Sequence, residues 1–139
     1  MPGARKRLRI VKTDPAEAAI KQLRGTAKVA YERHEREFEH QGCRAAGYRL
    51  LATGGEFSDL CCLRLHRDWR LITSFNRSTV FVVALGRHND ASFYRVLSDE
   101  LEINPIGQRR EQKPRCCSAD GWPTLGEVSA PKRRRKASQ

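Results

Sequence analysis

Residues 60–94 read LCCLRLHRDWRLITSFNRSTVFVVALGRHNDASFY, and the fold turns on how this stretch is parsed. Leu60–His66 alternates as a strand does, with Cys61, Leu63 and Leu65 on one face and Cys62, Arg64 and His66 on the other. Arg67-Asp68 is a tight turn. Trp69–Asn76 and Thr79–Leu85 are two further strands, joined by a hairpin at Asn76-Arg77-Ser78. Val80–Leu85 is apolar throughout, the pattern of a central strand covered on both faces. Asn89-Asp90 then caps a helix over Ala91–Ile103, whose buried stripe is Phe93, Leu97 and Leu101.

Working outward, Leu8, Ile10 and Val11 form a short strand. Thr13-Asp14-Pro15 gives a helix start, with a capping side chain and a proline in the first turn. Ala16–Leu23 is a first helix, and Gly25-Thr26 breaks it. Thr26–Gln41 is a second, with Ala27, Tyr31, His34 and Phe38 at helical spacing and Gly42 closing it. Tyr48–Leu51 is either a short strand or a helical turn, and Thr53-Gly54-Gly55 is a turn. The order β-α-α-β-β-β-α implies a small α+β domain over residues 7–104. It has an antiparallel sheet of about four strands, an N-terminal helical pair packed on one face, and a C-terminal helix. Residues 1–6 and 105–139 have the composition of disordered basic ends.

The 139 residues suffice for one domain. The net charge of +11 favours a polyanionic partner, but its placement weakens that argument. Lys132–Lys136 supplies +5, and Arg5, Lys6, Arg7, Arg9 and Lys12 supply another +5, so the middle of the chain is nearly balanced. No apolar run approaches the length of a membrane span, and the basic N-terminus lacks the apolar stretch of a signal peptide, so a cytoplasmic protein is expected. The five cysteines lack metal-ligand spacing and are expected as reduced thiols; no metal and no cofactor are expected.

Arg64, His66, Arg67, Arg70, Arg87, His88 and Tyr94 bring cationic, imidazole and phenolic groups together where carboxylates are sparse. That inventory suits holding and breaking a phosphodiester. Phosphoryl transfer needs positive charge at the equatorial oxygens, and an arginine fork matches them as lysine does not. A histidine at position 66 or 88 is suited to moving a proton. Tyr94, at the start of the last helix, is placed to position a 2′-hydroxyl or to stack a base. Each residue also has a plainer reading. Arg70 is alternatively a structural arginine paired with Glu56, Asp59 or Asp68, Arg64 a solvated strand residue, and Tyr94 a cover for the helix–sheet seam. Lys132, Arg133, Arg134 and Arg135 are either RNA contacts or a solvated tail.

The order of elements, with RDWRLITSF followed by VFVVALGRHNDASFY, resembles the RelE/ParE superfamily of type II toxins. The resemblance runs over roughly residues 8–103, about two-thirds of the chain. It rests on an arginine opening the penultimate strand (Arg70), a Gly-basic-basic segment after the last strand (Gly86-Arg87-His88), and a tyrosine six residues further on (Tyr94). It implies a ribosome-dependent mRNA endonuclease, neutralised by a cognate antitoxin, in which the RNA 2′-OH attacks the scissile phosphate. By that resemblance Arg64, Arg70, Arg87, His88 and Tyr94 are the catalytic candidates, and His66 and Arg67 contact RNA. Three departures stand out. The strand before the turn, usually rich in Lys or Arg, keeps only Arg64, His66 and Arg67. His88 occupies a position where the ribonuclease members often carry arginine, and Arg67-Asp68 replaces a glycine-containing turn. The alternatives are a ParE-like inhibitor of DNA gyrase without nuclease activity, which Tyr94 argues against, and a non-catalytic basic nucleic-acid-binding protein.

Overall fold

A computed structural model describes residues 7–50, 52–55, 57, 60–76 and 78–105. The expectations for residues 1–6 and 106–139, including the Lys132–Lys136 cluster, lie outside them. The order is β1 (Arg9–Lys12), α1 (Asp14–Lys21), α2 (Gly25–Gln41), a 3-10 turn (Gly42–Ala45), β2 (Tyr48–Arg49), β3 (Ala52–Thr53), β4 (Leu60–Arg64), β5 (Trp69–Phe75), β6 (Thr79–Arg87), α3 (Ala91–Arg95) continued by a π turn (Val96–Glu100), and β7 (Asn104–Pro105). The five-stranded sheet runs β1-β6-β5-β4-β2, and β3 pairs with β7 separately.

This is the α+β architecture the sequence implies. One difference is that β1 joins the sheet edge parallel to β6, so the sheet is mixed. β1 and β6 are no hairpin neighbours; α1, α2 and β2 to β5 come between them and leave either direction open. β4, β5 and β6 form the expected antiparallel meander.

Local chemistry sets the helix ends. Thr13 Oγ1 accepts the Ala16 N–H at 3.1 Å and donates to the Val83 carbonyl at 2.7 Å, capping α1 and tying it to β6. α2 ends at Gly42, whose φ of 63° is a left-handed conformation that glycine adopts without strain. The last helix is shorter than the periodicity predicts. Its α-helical part stops at Arg95, a π turn follows, and Ile103 is buried on an extended segment.

The sheet has an apolar layer on each face. On the helical-pair face, Leu23, Ala27, Tyr31 and Phe38 pack on Cys61, Leu71, Phe75, Val80, Val82 and Leu85. Phe38 meets Phe75 edge-on, with ring centroids 5.6 Å apart, an arrangement contributing about 0.5–1.5 kcal/mol beyond simple burial. On the opposite face, Phe93 and Leu97 of the α3 region, with Ile103, pack on Cys62, Ile72, Phe81, Val83 and Ala84. Cys61 and Cys62 are buried thiols, as expected of small core residues. Cys43 departs from that expectation, being disulfide-bonded. His34 is half-buried beside Glu37, with Nδ1 3.0 Å from its carboxylate, a boundary residue of the α2 stripe.

A bulge in β6 governs what the end of the sheet presents. Thr73 pairs with Val82, but Ile72 pairs with Ala84, so Val83 is an extra residue opposite β5. Val83 and Ala84 therefore face the same α3-side layer, and Leu85 returns to the other. Beyond the bulge, every side chain of β6 sits on the face opposite to the one that strict alternation from Val80 would assign.

Candidate active site

Register assembles the site. Arg64 and Arg70 are direct cross-strand partners on β4 and β5, and Gly86 is the partner of Arg70 on β6. By alternation, Arg64 and Arg70 share the face of Cys62 and Ile72, the α3 face. Directly opposed like charges repel, so nothing in the sheet itself gains from this pair. Arg70 is half-buried, and its Nη1 donates to the carbonyls of Arg67 and Trp69, each at 3.3 Å. Among the described residues it makes no ion pair; Asp68, one of the three carboxylates the structural reading offered, is not its partner.

α3 brings a phenol and an imidazole to the same place. Asp90 caps it, accepting the Ser92 N–H at 2.9 Å, and this backbone hydrogen bond holds the Asp90 carboxyl below its ordinary value. Phe93 then lies directly over Gly86. A Cβ at Gly86 would stand 2.3–2.8 Å from Phe93 atoms, so only glycine lets α3 approach this closely. Seating Phe93 places Tyr94 at the rim. The Tyr94 hydroxyl is 3.0 Å from His88 Nδ1, and the Tyr94 ring packs edge-on against Phe93 and His88. His88 is itself fixed by its backbone N–H, which donates to the Asp68 carbonyl at 2.7 Å.

Burial raises the Tyr94 hydroxyl above the ordinary phenol value; the Arg70 charge pulls it partway back, and Cys62 adds to the rise. Arg70 and Cys62 thus lie within electrostatic reach of the phenol. The residue is 39% exposed, so its hydroxyl stands at the surface within hydrogen-bond distance of His88.

Of the residues singled out in the sequence, Arg64, Arg70, His88 and Tyr94 belong to this one face. Arg87 is taken elsewhere. It pairs with Trp69 beyond the bulge, on the helical-pair side, and its guanidinium carbon sits 5.3 Å from the Trp69 ring centroid. His66 also departs from its expected face. β4 ends at Arg64, the chain turns through His66–Trp69, and the Trp69 N–H donates to the His66 carbonyl at 3.0 Å. His66 and Arg67 line an open groove of about 560 Å³ with Arg24, Asp68, Trp69 and Arg87. Arg67 carries φ 55°, a left-handed position that glycine takes more readily. Gly86 enters the sequence argument only within the Gly-basic-basic segment; its part in seating α3 is signalled by a glycine at the end of an unbroken apolar strand, just before a helix.

Among the described residues no helix is long and apolar enough to cross a membrane. No protein-family model matches the chain, and no curated protein matches it. Among solved structures, the chain is similar to an archaeal RelE–RelB complex from Pyrococcus horikoshii OT3, at 17% identity and a TM-score of 0.45, covering 59% of this chain and 96% of that one.

Proposed function

We propose that the protein is a toxin of a type II toxin–antitoxin pair that cleaves mRNA on the ribosome and is neutralised by an antitoxin covering this face. The observation that carries the reading is the joint placement of the opposed Arg64–Arg70 pair and the Tyr94–His88 hydrogen bond on one face, beside the glycine that lets α3 close over it. Two arginines held together against their repulsion suit an anionic ligand, and a phosphodiester in its transition state carries extra negative charge.

In this reading the 2′-OH attacks the adjacent phosphorus, the bond to the 5′-oxygen breaks, and a 2′,3′-cyclic phosphate forms. Arg64 and Arg70 hold the non-bridging oxygens as charge builds on them. His88, hydrogen-bonded to Tyr94, accepts the 2′-OH proton through the phenol, which gives up its own proton as it takes the new one. The departing 5′-oxygen takes a proton from water. The histidine at position 88 thereby supplies proton transfer where an arginine supplies only charge.

Inducible expression with mapping of mRNA 5′ ends tests this. Growth arrest with new 5′ ends inside translated messages supports it. Intact mRNA accompanied by a DNA-damage response overturns it in favour of gyrase inhibition.

A further inference from the structure

The bulge that removes Arg87 from the active site builds a second basic surface around the end of the sheet. The groove there holds Arg24, Arg67, Arg87 and His66 against one carboxylate, Asp68. Among the described residues none of the three arginines makes an ion pair. Arg24 Nη1 is anchored on the carbonyls of Lys21 and Leu23, at 3.2 and 2.8 Å, which holds its charge at the rim. Arg87 lies over the Trp69 ring, so one side of its guanidinium is backed by an aromatic face.

This groove adjoins the active site. Asp68 lines the groove, and its carbonyl holds the backbone of His88 in the site. The adjacent register pairs Trp69–Arg87 and Arg70–Gly86 place one arginine on each face of the same strand ends. A ligand touching both surfaces must bend sharply around the β4–β5 turn. Duplex nucleic acid is stiff over roughly 150 base pairs and cannot do so cheaply, whereas a single strand can.

We propose that the groove is a subsite for single-stranded RNA flanking the cleaved phosphate. Arg24, Arg67 and Arg87 take backbone phosphates, and an unstacked base lies on the guanidinium plane of Arg87. This rests on the RNA-cleaving reading of the active site and adds to it a path for the strand.

The test uses the full chain and a fluorescent nine-nucleotide RNA carrying 2′-O-methyl groups, which cannot be cut. Anisotropy gives affinity against salt for the native protein, for Arg24→Ala/Arg67→Ala/Arg87→Ala, and for Arg87→Lys, each first shown by urea unfolding to be folded. The triple variant is expected to bind at least tenfold more weakly and to lose about 2 from the slope of log K against log salt, at about 0.7 per phosphate contact. Arg87→Lys is expected to keep the slope yet bind several-fold more weakly, because lysine keeps the charge and loses the stacking plane. Native affinity and slope in the triple variant overturn the subsite. So does a triple variant that loses an acidic polyglutamate peptide but not RNA, which assigns the groove to a protein partner. The parent reading fails separately, if Arg64→Ala/Arg70→Ala binds this RNA as the native chain does.

Discussion

Past the bulge, the two faces of the sheet differ in what they can do with a phosphate. On the α3 face, Arg70 lies within electrostatic reach of a phenol hydrogen-bonded to an imidazole, its register partner Arg64 shares that face, and Gly86 leaves room for the helix that carries the phenol. On the other face, Arg87 is backed by Trp69 and shares a groove with Arg24, Arg67 and His66. Both faces present cationic groups; among the described residues only the first joins positive charge to a hydrogen-bonded phenol–imidazole pair. On the proposed reading, positive charge alone does not mark the catalytic face; the contact between a proton-carrying group and its partner does.

The sharpest way to break this comparison is to remove one arginine from each face. Arg70→Ala should lower single-turnover cleavage by about 10²–10³, the loss typical of one transition-state donor, whereas Arg87→Ala at saturating RNA should change the rate only a few-fold. Equal losses would erase the distinction between the faces.

The proton relay is next. Tyr94→Phe should cost about 10²-fold in rate, the lower end for a positioned proton-transfer group. The sign of the pH dependence follows from the raised phenol: the proton is present at neutral pH and is lost only as pH rises past the ordinary phenol value of about 10. Native activity should therefore hold to alkaline pH and fall there, and the phenylalanine variant should lack that alkaline limb. A pH–rate profile of the two proteins checks it.

Gly86→Val tests whether close approach builds the α3 face. Phe93 is nearly fully buried and cannot move aside cheaply, so overpacking should cost about 1–3 kcal/mol in urea unfolding. It should also abolish cleavage by lifting Tyr94 away, while RNA affinity at the Arg87 groove persists. The smallest effect belongs to the turn between the faces. Arg67→Gly should raise stability by about 0.5–1 kcal/mol by relieving the left-handed backbone, and should weaken RNA binding by one phosphate contact without altering the rate at saturation.

Much of the fold was legible because it rests on local signals. Thr13-Asp14-Pro15 starts α1, Gly42 ends α2, Asp90 caps α3, and the apolar run of β6 is covered on both faces, as the sequence alone implied. The last helix was overread because Phe93, Leu97 and Leu101 keep helical spacing while the α-helical part stops at Arg95 and a π turn follows. The site was legible in part. Arg64, Arg70, His88 and Tyr94 could be grouped from strand alternation and from a six-residue step that spans a turn and one helical turn.

The sequence by itself determined the inventory: two arginines on adjoining strands, a histidine and tyrosine around the entry to the last helix, and a glycine between them. Only the tertiary structure decided sides. The extra residue at Val83 leaves no mark in an unbroken apolar run, since valine and alanine suit either face of a strand buried on both. Yet that one residue reverses everything after it, turning Gly86 toward Phe93 and Arg87 toward Trp69. Alternation is a local rule, and pairing with β5 is a long-range one. Where they conflict the sheet follows its hydrogen-bonded partner, and the side on which each group after the bulge stands is set there.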